Sequence, residues 1–257
     1  MKTPVERYIV GKSNLLIRAS YKLTLNEQRL ILLVIAGIHS QRVAIRPGFN
    51  QVEGVRITAA EFAAAWNLTT KESYEALKEA TLEFYERSIA DIVGKRIEKM
   101  RWVSRIVYHD GEGWAELSLS PHVVPYLTEL GSKFTEYRLG QVSNLRSTHA
   151  IRLFEWCVQF ADTGWLELRV DEMLQRLGVS YSRYADVRRY IIEPAVKELK
   201  AKADINIAWV PIKTGRQVTS IKFMFHIRDE TTERKKPTPP KLPDFSELVS
   251  TLDKSAT

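Results

Sequence analysis

The side chains that could support catalysis or hold a metal are five histidines, one cysteine and a Gly-Lys-Ser run. Their spacing argues against each use. His39, His109, His122, His149 and His226 are scattered, and no set of residues has the spacing of a zinc ligand cluster. Cys157 sits in the apolar run IRLFEWCVQF and reads as a core residue. A single cysteine cannot form an intramolecular disulfide, which fits a reducing, cytoplasmic setting. Gly11-Lys12-Ser13 has the ending of a phosphate-binding loop, but that loop needs a glycine five positions before Gly11, where Glu6 stands. No GxSxG, HExxH or carboxylate cluster is present. The expectation is a protein that is not an enzyme, with no catalytic residue, cofactor or metal.

Charge is the stronger signal. The 257 residues hold 38 Lys and Arg against 31 Asp and Glu, a formal charge of +7. From Asp229 onward the chain is rich in proline and polar residues, with five basic and six acidic side chains. Residues 1–228 therefore carry +8, and the segment 229–257 reads as a disordered, nearly neutral tail. A basic folded part makes a polyanion, nucleic acid above all, the first partner to consider. The N-terminus lacks the apolar run of a signal peptide, and no stretch is long enough to span a bilayer, so no membrane role is expected.

The elements that must position this charge read twice. Leu25–Ile38 is an apolar helix introduced by Thr24 with Glu27, a capping box. A strand at Gln51–Ile57 follows, then a helix opened by Thr58 with Glu61 and broken at Asn67-Leu68. Thr69 with Glu72 opens a third helix, and β-rich stretches come after it: SIADIV, EKMRWVSRIVY and WAELSLS. In the second half, Ser147–Phe160 is a helix and Trp165–Val170 a strand. DEMLQRLGV and YADVRRYIIEPAVKELKA are two further helices, and a hairpin turns around Lys213–Arg216. The short helices align at an offset of 111, which places Glu61 on Glu172. Helix, strand, helix, helix, hairpin is the order of a winged helix-turn-helix. The expected class is α+β: tandem winged-helix domains over 1–130 and 131–228, then the tail.

Two sets of residues also match a known family. The first is Lys12-Ser13-Asn14-Leu15-Leu16, Ala19-Ser20-Tyr21-Lys22-Leu23-Thr24 and Glu27-Gln28-Arg29. The second is Tyr184-Ala185-Asp186-Val187-Arg188-Arg189, Ile192-Glu193-Pro194-Ala195 and Lys197-Glu198-Leu199. Together they resemble the replication initiator (Rep) proteins of iteron-containing, theta-replicating plasmids, from about Lys12 to Ile227. The resemblance implies two winged-helix domains that bind repeated origin sequences. It also implies monomers that start replication, with the host initiator and replicative helicase as partners, and dimers that repress the initiator's own promoter.

In such a domain the last helix enters the major groove. Over Tyr184–Lys200 the apolar Tyr184, Val187, Ile191, Ala195 and Leu199 should face the core. Arg189, Lys197 and Lys200 then fall on the opposite side, and Arg183 stands at the helix entrance. Arg183 and Arg189 are the main candidates for base contacts, because a guanidinium fork can pair with both acceptors of guanine. Arg188 joins them through the family's paired basic residues, while ideal phase turns it toward the apolar side and Pro194 could reset that phase. Lys213, Arg216 and Lys222 on the wing are phosphate candidates. In the first domain Lys71 and Lys78 lie among four glutamates, so that helix should contribute less. Alternation there would place Lys99, Arg101 and Arg105 on one strand face, close to Lys95 and Arg96. Self-association is expected through this hairpin and the run Leu30–Ile35. Two rivals remain: a winged-helix transcription regulator without initiator activity, and a DNA-nicking enzyme with an unrecognised site. The histidines never take the His-x-His spacing that rolling-circle nickases pair with a nucleophilic tyrosine.

Overall fold

Thr24, Thr58 and Thr69 each begin a helix, and each does so by the same reciprocal pair of hydrogen bonds. The threonine hydroxyl accepts from the N–H of the glutamate three residues on, at 3.3, 3.1 and 3.3 Å. The glutamate carboxylate accepts from the threonine N–H at 2.7, 3.1 and 2.9 Å. Two N–H groups that a helix start leaves unpaired are thereby satisfied at each position.

The computed structural model describes residues 7–39, 54–93, 96–109, 111–128 and 134–228. The expected disordered tail, Lys95 and the start of the Gln51–Ile57 strand lie outside them. In chain order the elements are β1 (Ile9–Ser13), α1 (Asn14–Arg18), α2 (Leu25–His39), β2 (Val55–Thr58), α3 (Ala59–Trp66) and α4 (Thr70–Phe84). Next come β3 (Ser88–Val93), β4 (Arg96–Arg101), β5 (Val103–His109), β6 (Trp114–Leu119), α5 (Pro125–Thr128) and β7 (Phe134–Arg138). The second half holds α6 (Thr148–Gln159), β8 (Trp165–Arg169), α7 (Val170–Leu177), α8 (Tyr184–Val187), α9 (Glu193–Lys202), β9 (Ile205–Thr214) and β10 (Gln217–Ile227).

Sheet order bears out the repeat. The first domain has the antiparallel order β2-β6-β5 and the second β8-β10-β9. In both, the strand between the first two helices pairs with the returning strand of the wing. The fold is two tandem winged-helix domains of class α+β. Helix α2 is apolar on nearly every side, and Glu27 through Ile38 are all buried along it. Such a helix can only be a central core element. Leu16, Leu23 and Leu30, seven apart, are likewise buried core residues.

Three expectations need correction. EKMRWVSRIVY is not one strand. It breaks at Trp102, which is fully buried beside Phe84 and Tyr21, and it divides into β4, paired with β3, and β5, in the winged sheet. An indole that large leaves the surface at the cost of strand continuity, so an extra hairpin, β3–β4, precedes the true wing β5–β6. The run Leu30–Ile35 offers no surface for self-association, since all six residues are at most 2% exposed. The division at 130 also separates β7 from β1, its antiparallel partner from Ile9↔Arg138 to Ser13↔Phe134.

The β1–β7 pair holds a buried charge. Lys12 Nζ lies 2.6 Å from Glu155 Oε1 on α6, with the two side chains 1% and 0% exposed. The Tyr137 hydroxyl donates to the same oxygen at 2.8 Å. Burial, and then the neighbouring carboxylate, pushes the Tyr137 phenol well above its usual range. Trp156 Nε1 donates to Ile17 O at 3.1 Å, and Arg152 Nη2 donates to Ala19 O at 2.8 Å. The described residues up to Ile227 accordingly form one compact unit.

Gly178 ends α7 with φ of +64°, and a Cβ there would lie 3.1 Å from Lys22 Cβ. Gly178→Ala is expected to cost about 1–2 kcal/mol, read from chemical denaturation. Gly215→Ala, at φ +61° with open space around it, isolates the backbone part of that cost. A larger loss at 215 than at 178 would remove the packing argument.

Candidate nucleic-acid interface

The second domain presents its last helix in an unusual form. Helix α8 does not run directly into α9. Residues Arg188–Ile192 form a π-helical turn, in which the Glu193 N–H bonds to the Arg188 carbonyl five residues back. Pro194 follows at once. Proline has no N–H for the carbonyl four residues before it, and its ring crowds that carbonyl, so the widened turn provides room. The core face survives the insertion. Val187, Ile191, Ala195 and Leu199 are at most 3% exposed, Tyr184 is half-buried against the core, and Ile192 and Val196 join them.

The π turn decides where Arg188 goes. In a regular helix residues five apart lie about 140° apart around the axis. Here Arg188 Nε meets Glu193 Oε1 at 2.7 Å, and the guanidinium stands 5.7 Å from the Trp209 ring on β9. Arg188 is thus exposed rather than turned to the apolar side. Arg183, at the N-cap of α8, is held by Asp186 through two bonds of 2.9 and 3.2 Å. A cation at a helix N-terminus opposes the helix dipole, and the carboxylate at the third helical position offsets it. Arg189 differs from both. It is exposed, stands 5.4 Å from the Tyr190 ring and has no carboxylate partner among the described residues. Tyr190, 52% exposed, stacks in turn on Tyr181.

Lys197 and Lys200 lie exposed on α9, which packs against β9. Lys213 and Arg216 are exposed at the wing tip. The tip is a two-residue turn between the paired Thr214 and Gln217, with Gly215 at φ +61° supplying the first position. Lys222, by contrast, is half-buried with its ammonium 4.5 Å from the Trp165 ring. Five cations of this domain, Arg189, Lys197, Lys200, Lys213 and Arg216, therefore face solvent without a carboxylate within 4.0 Å among the described residues.

The first domain is built differently. On α4, Lys71 is exposed at the N-terminal turn, and Lys78 lies 5.9 Å from the Tyr108 ring. Glu72, Glu75, Glu79 and Glu83 share the exposed surface with them. The strand expectation for this domain is corrected: Lys99 and Arg101 belong to β4, whereas Arg105 belongs to another sheet. Arg101 is committed to Glu86 at 2.7 Å and to the Tyr85 carbonyl at 2.8 Å. Arg105 pairs with Glu116 at 3.0 Å, and Arg96 pairs with Glu98. Lys99 is exposed. Lys71 and Lys99 have no carboxylate within 4.0 Å among the described residues, so two candidates of the first domain are unpaired against five of the second, which neither composition nor spacing discloses. Pro194 was the only local sign of the π turn, and nothing marked Tyr181 and Tyr190 as a stacked pair.

Residues 9–158 match the family described as Initiator Replication protein, WH1, and residues 169–225 match Initiator Rep protein, WH2. The chain belongs to the initiator replication protein family. A "Replication initiation protein" of Escherichia coli is 24% identical over 228 residues, covering 85% of this chain and 70% of that protein. An "Uncharacterized 27.6 kDa protein" of Escherichia coli is 23% identical over 242 residues, covering 86% and 94%. The solved Pi initiator protein in complex with iteron DNA matches with a TM-score of 0.73 at 18% identity, over 88% of this chain and 99% of that one. That likeness is one of fold, and it extends over both winged-helix domains of this initiator-family chain. Among the described residues no helix is long and apolar enough to cross a membrane.

Proposed function

We propose that this initiator-family protein binds repeated origin sequences in double-stranded DNA. The second domain is the principal reader: its last helix lies in the major groove and its wing lies on the phosphates. The observation that carries this reading is the contrast in cations. The five of the second domain named above face solvent without carboxylates, against Lys71 and Lys99 among the candidates of the first, where Arg96, Arg101 and Arg105 are already paired. Similarity to a protein solved with iteron DNA supports the same reading. Footprinting on DNA flanking the gene tests it, with protection of evenly spaced direct repeats as the expected result. A single inverted site would favour a regulator instead.

Binding displaces counterions from phosphate, so it is strongly salt-dependent. If about six phosphates are neutralised, affinity for the repeat should fall about 10³-fold between 50 and 200 mM salt. A slope near zero would remove the electrostatic half of this reading.

The protein acts in the bacterial cytoplasm without a covalent step, helps open the origin and recruits the host initiator and helicase. Incubation with supercoiled origin DNA and Mg²⁺ should leave the DNA unnicked. A dimer that represses the protein's own promoter forms through the first domain. Among the described residues the outer edge of β4 has no partner strand and Ile97 is 61% exposed, which supports strand-to-strand pairing.

A further inference from the structure

Between the first helices of the two domains lies a cavity of about 70 Å³ that no part of the DNA-reading argument uses. Tyr21, Lys22 and Gln28 line it from the first domain, and Thr148, His149 and Arg152 from α6, with three apolar residues completing the wall. Two of these side chains are cations and none is a carboxylate.

Three of its polar side chains are buried and keep unpaired polar atoms among the described residues. Gln28 is 1% exposed, Arg152 2% and Tyr21 6%. Gln28 Nε2, Arg152 Nε and Nη1 and the Tyr21 hydroxyl have no hydrogen-bond partner among the described residues. Arg152 donates from Nη2 to two backbone carbonyls, and its guanidinium stacks 3.8 Å from the Tyr21 ring. Those contacts orient the charge and do not neutralise it. A buried cation left so is costly unless an anion completes it. Thr148 and His149 occupy the first turn of a 12-residue helix, where the backbone dipole also favours negative charge. Burial lowers the His149 pKa, so the neutral ring offers one donor and one acceptor. The space exceeds that of one water several-fold and suits a tetrahedral or carboxylate-sized group.

We propose that this cavity is a binding site for a small free oxyanion, phosphate or carboxylate in type, held between Arg152 and Gln28 with Lys22 at its rim. Occupancy ties α2 of the first domain to α6 of the second. The site is independent of the DNA-reading surface, and its test does not involve DNA.

The full chain is titrated with sodium phosphate, and with sodium acetate in parallel, against sodium chloride at matched ionic strength. Calorimetry and thermal melting are the readouts. One phosphate or acetate should bind per chain and raise the melting temperature by roughly 2–4 °C at saturation. The stronger of the two identifies the ligand type. Lys213→Ala/Arg216→Ala should keep this response, which separates it from anion binding on the wing. Arg152→Gln and Gln28→Leu should each weaken it at least tenfold. Lys22→Ala, on an exposed residue that does not threaten the fold, should weaken it several-fold. If Arg152→Gln does not fold, Lys22→Ala and anomalous scattering from selenate in crystals of the full chain decide. Selenate density against Arg152 supports the site. Water density alone, no response beyond chloride, or a response unchanged in both Lys22→Ala and Gln28→Leu overturns it.

Discussion

Lys12→Met should destabilise the folded chain by about 3–5 kcal/mol, the cost of leaving a buried carboxylate without its cation. Glu155 is 0% exposed, and Lys12 is its only charged partner within 4.0 Å among the described residues. The Tyr137 hydroxyl would remain as a neutral donor to Oε1, too little to replace an ammonium. Oε2 has no hydrogen-bond partner among the described residues even with Lys12 in place. The effect belongs to the stranded charge rather than to lost packing, since methionine fills much of the same space. Replacing the whole set, Lys12→Met/Glu155→Met/Tyr137→Phe, should therefore recover most of the loss, because buried ion pairs are often matched by apolar residues of similar volume. Chemical denaturation of the two variants gives both numbers. A single variant as stable as the parent would mean that Glu155 finds another counter-charge, and a triple variant no better than the single would mean that shape matters more than charge.

Arg189→Ala should weaken binding to the cognate repeat by about 1–3 kcal/mol, roughly 5–150-fold, and relax preference at one base pair. Its guanidinium is the one in the Arg183, Arg188, Arg189 set that no carboxylate holds among the described residues. Arg183 and Arg188 must first give up Asp186 and Glu193, so their net contribution to affinity should be smaller. Lys197→Ala should lower affinity for cognate and random DNA about equally, because a phosphate carries no sequence information. All these side chains are exposed, so melting temperatures should hold. Val187→Asp, at a position 1% exposed, should damage the fold itself. Folded Arg189→Ala protein that keeps full affinity and full sequence preference would show that another residue reads the base. The same outcome for Arg183→Ala and Arg188→Ala would show that another element does.

What could be read from the sequence was local. The capping boxes at Thr24, Thr58 and Thr69 depend on residues three apart, and all three formed as expected. The buried face of the last helix was visible because its apolar spacing continues through the π turn. Lys12 shows the opposite case. In the chain it is part of a Gly-Lys-Ser run, and its meaning comes from a glutamate 143 residues away. Trp102 reads as a good strand residue, yet burial makes it the point where one apparent strand becomes two. Gln28 lies in a stretch that resembles a known family, but only the meeting of α2 with α6 shows that its amide faces a polar cavity. Occupied and unoccupied cations were indistinguishable in the sequence, since pairing depends on which carboxylates fold alongside.

The π turn before Pro194 also sets a rotational phase. Each residue of an α-helix advances about 100° around the axis. The extra residue in the turn therefore fixes the angle between the arginines before and at its N-terminal end and Lys197 and Lys200 beyond it. A helix that regained regular bonding there would swing one group by about 100° relative to the other. On the proposed reading, side chains that contact base edges and side chains that grip the backbone would then no longer address the same groove together. One missing N–H, at Pro194, keeps the two ends of the helix in step.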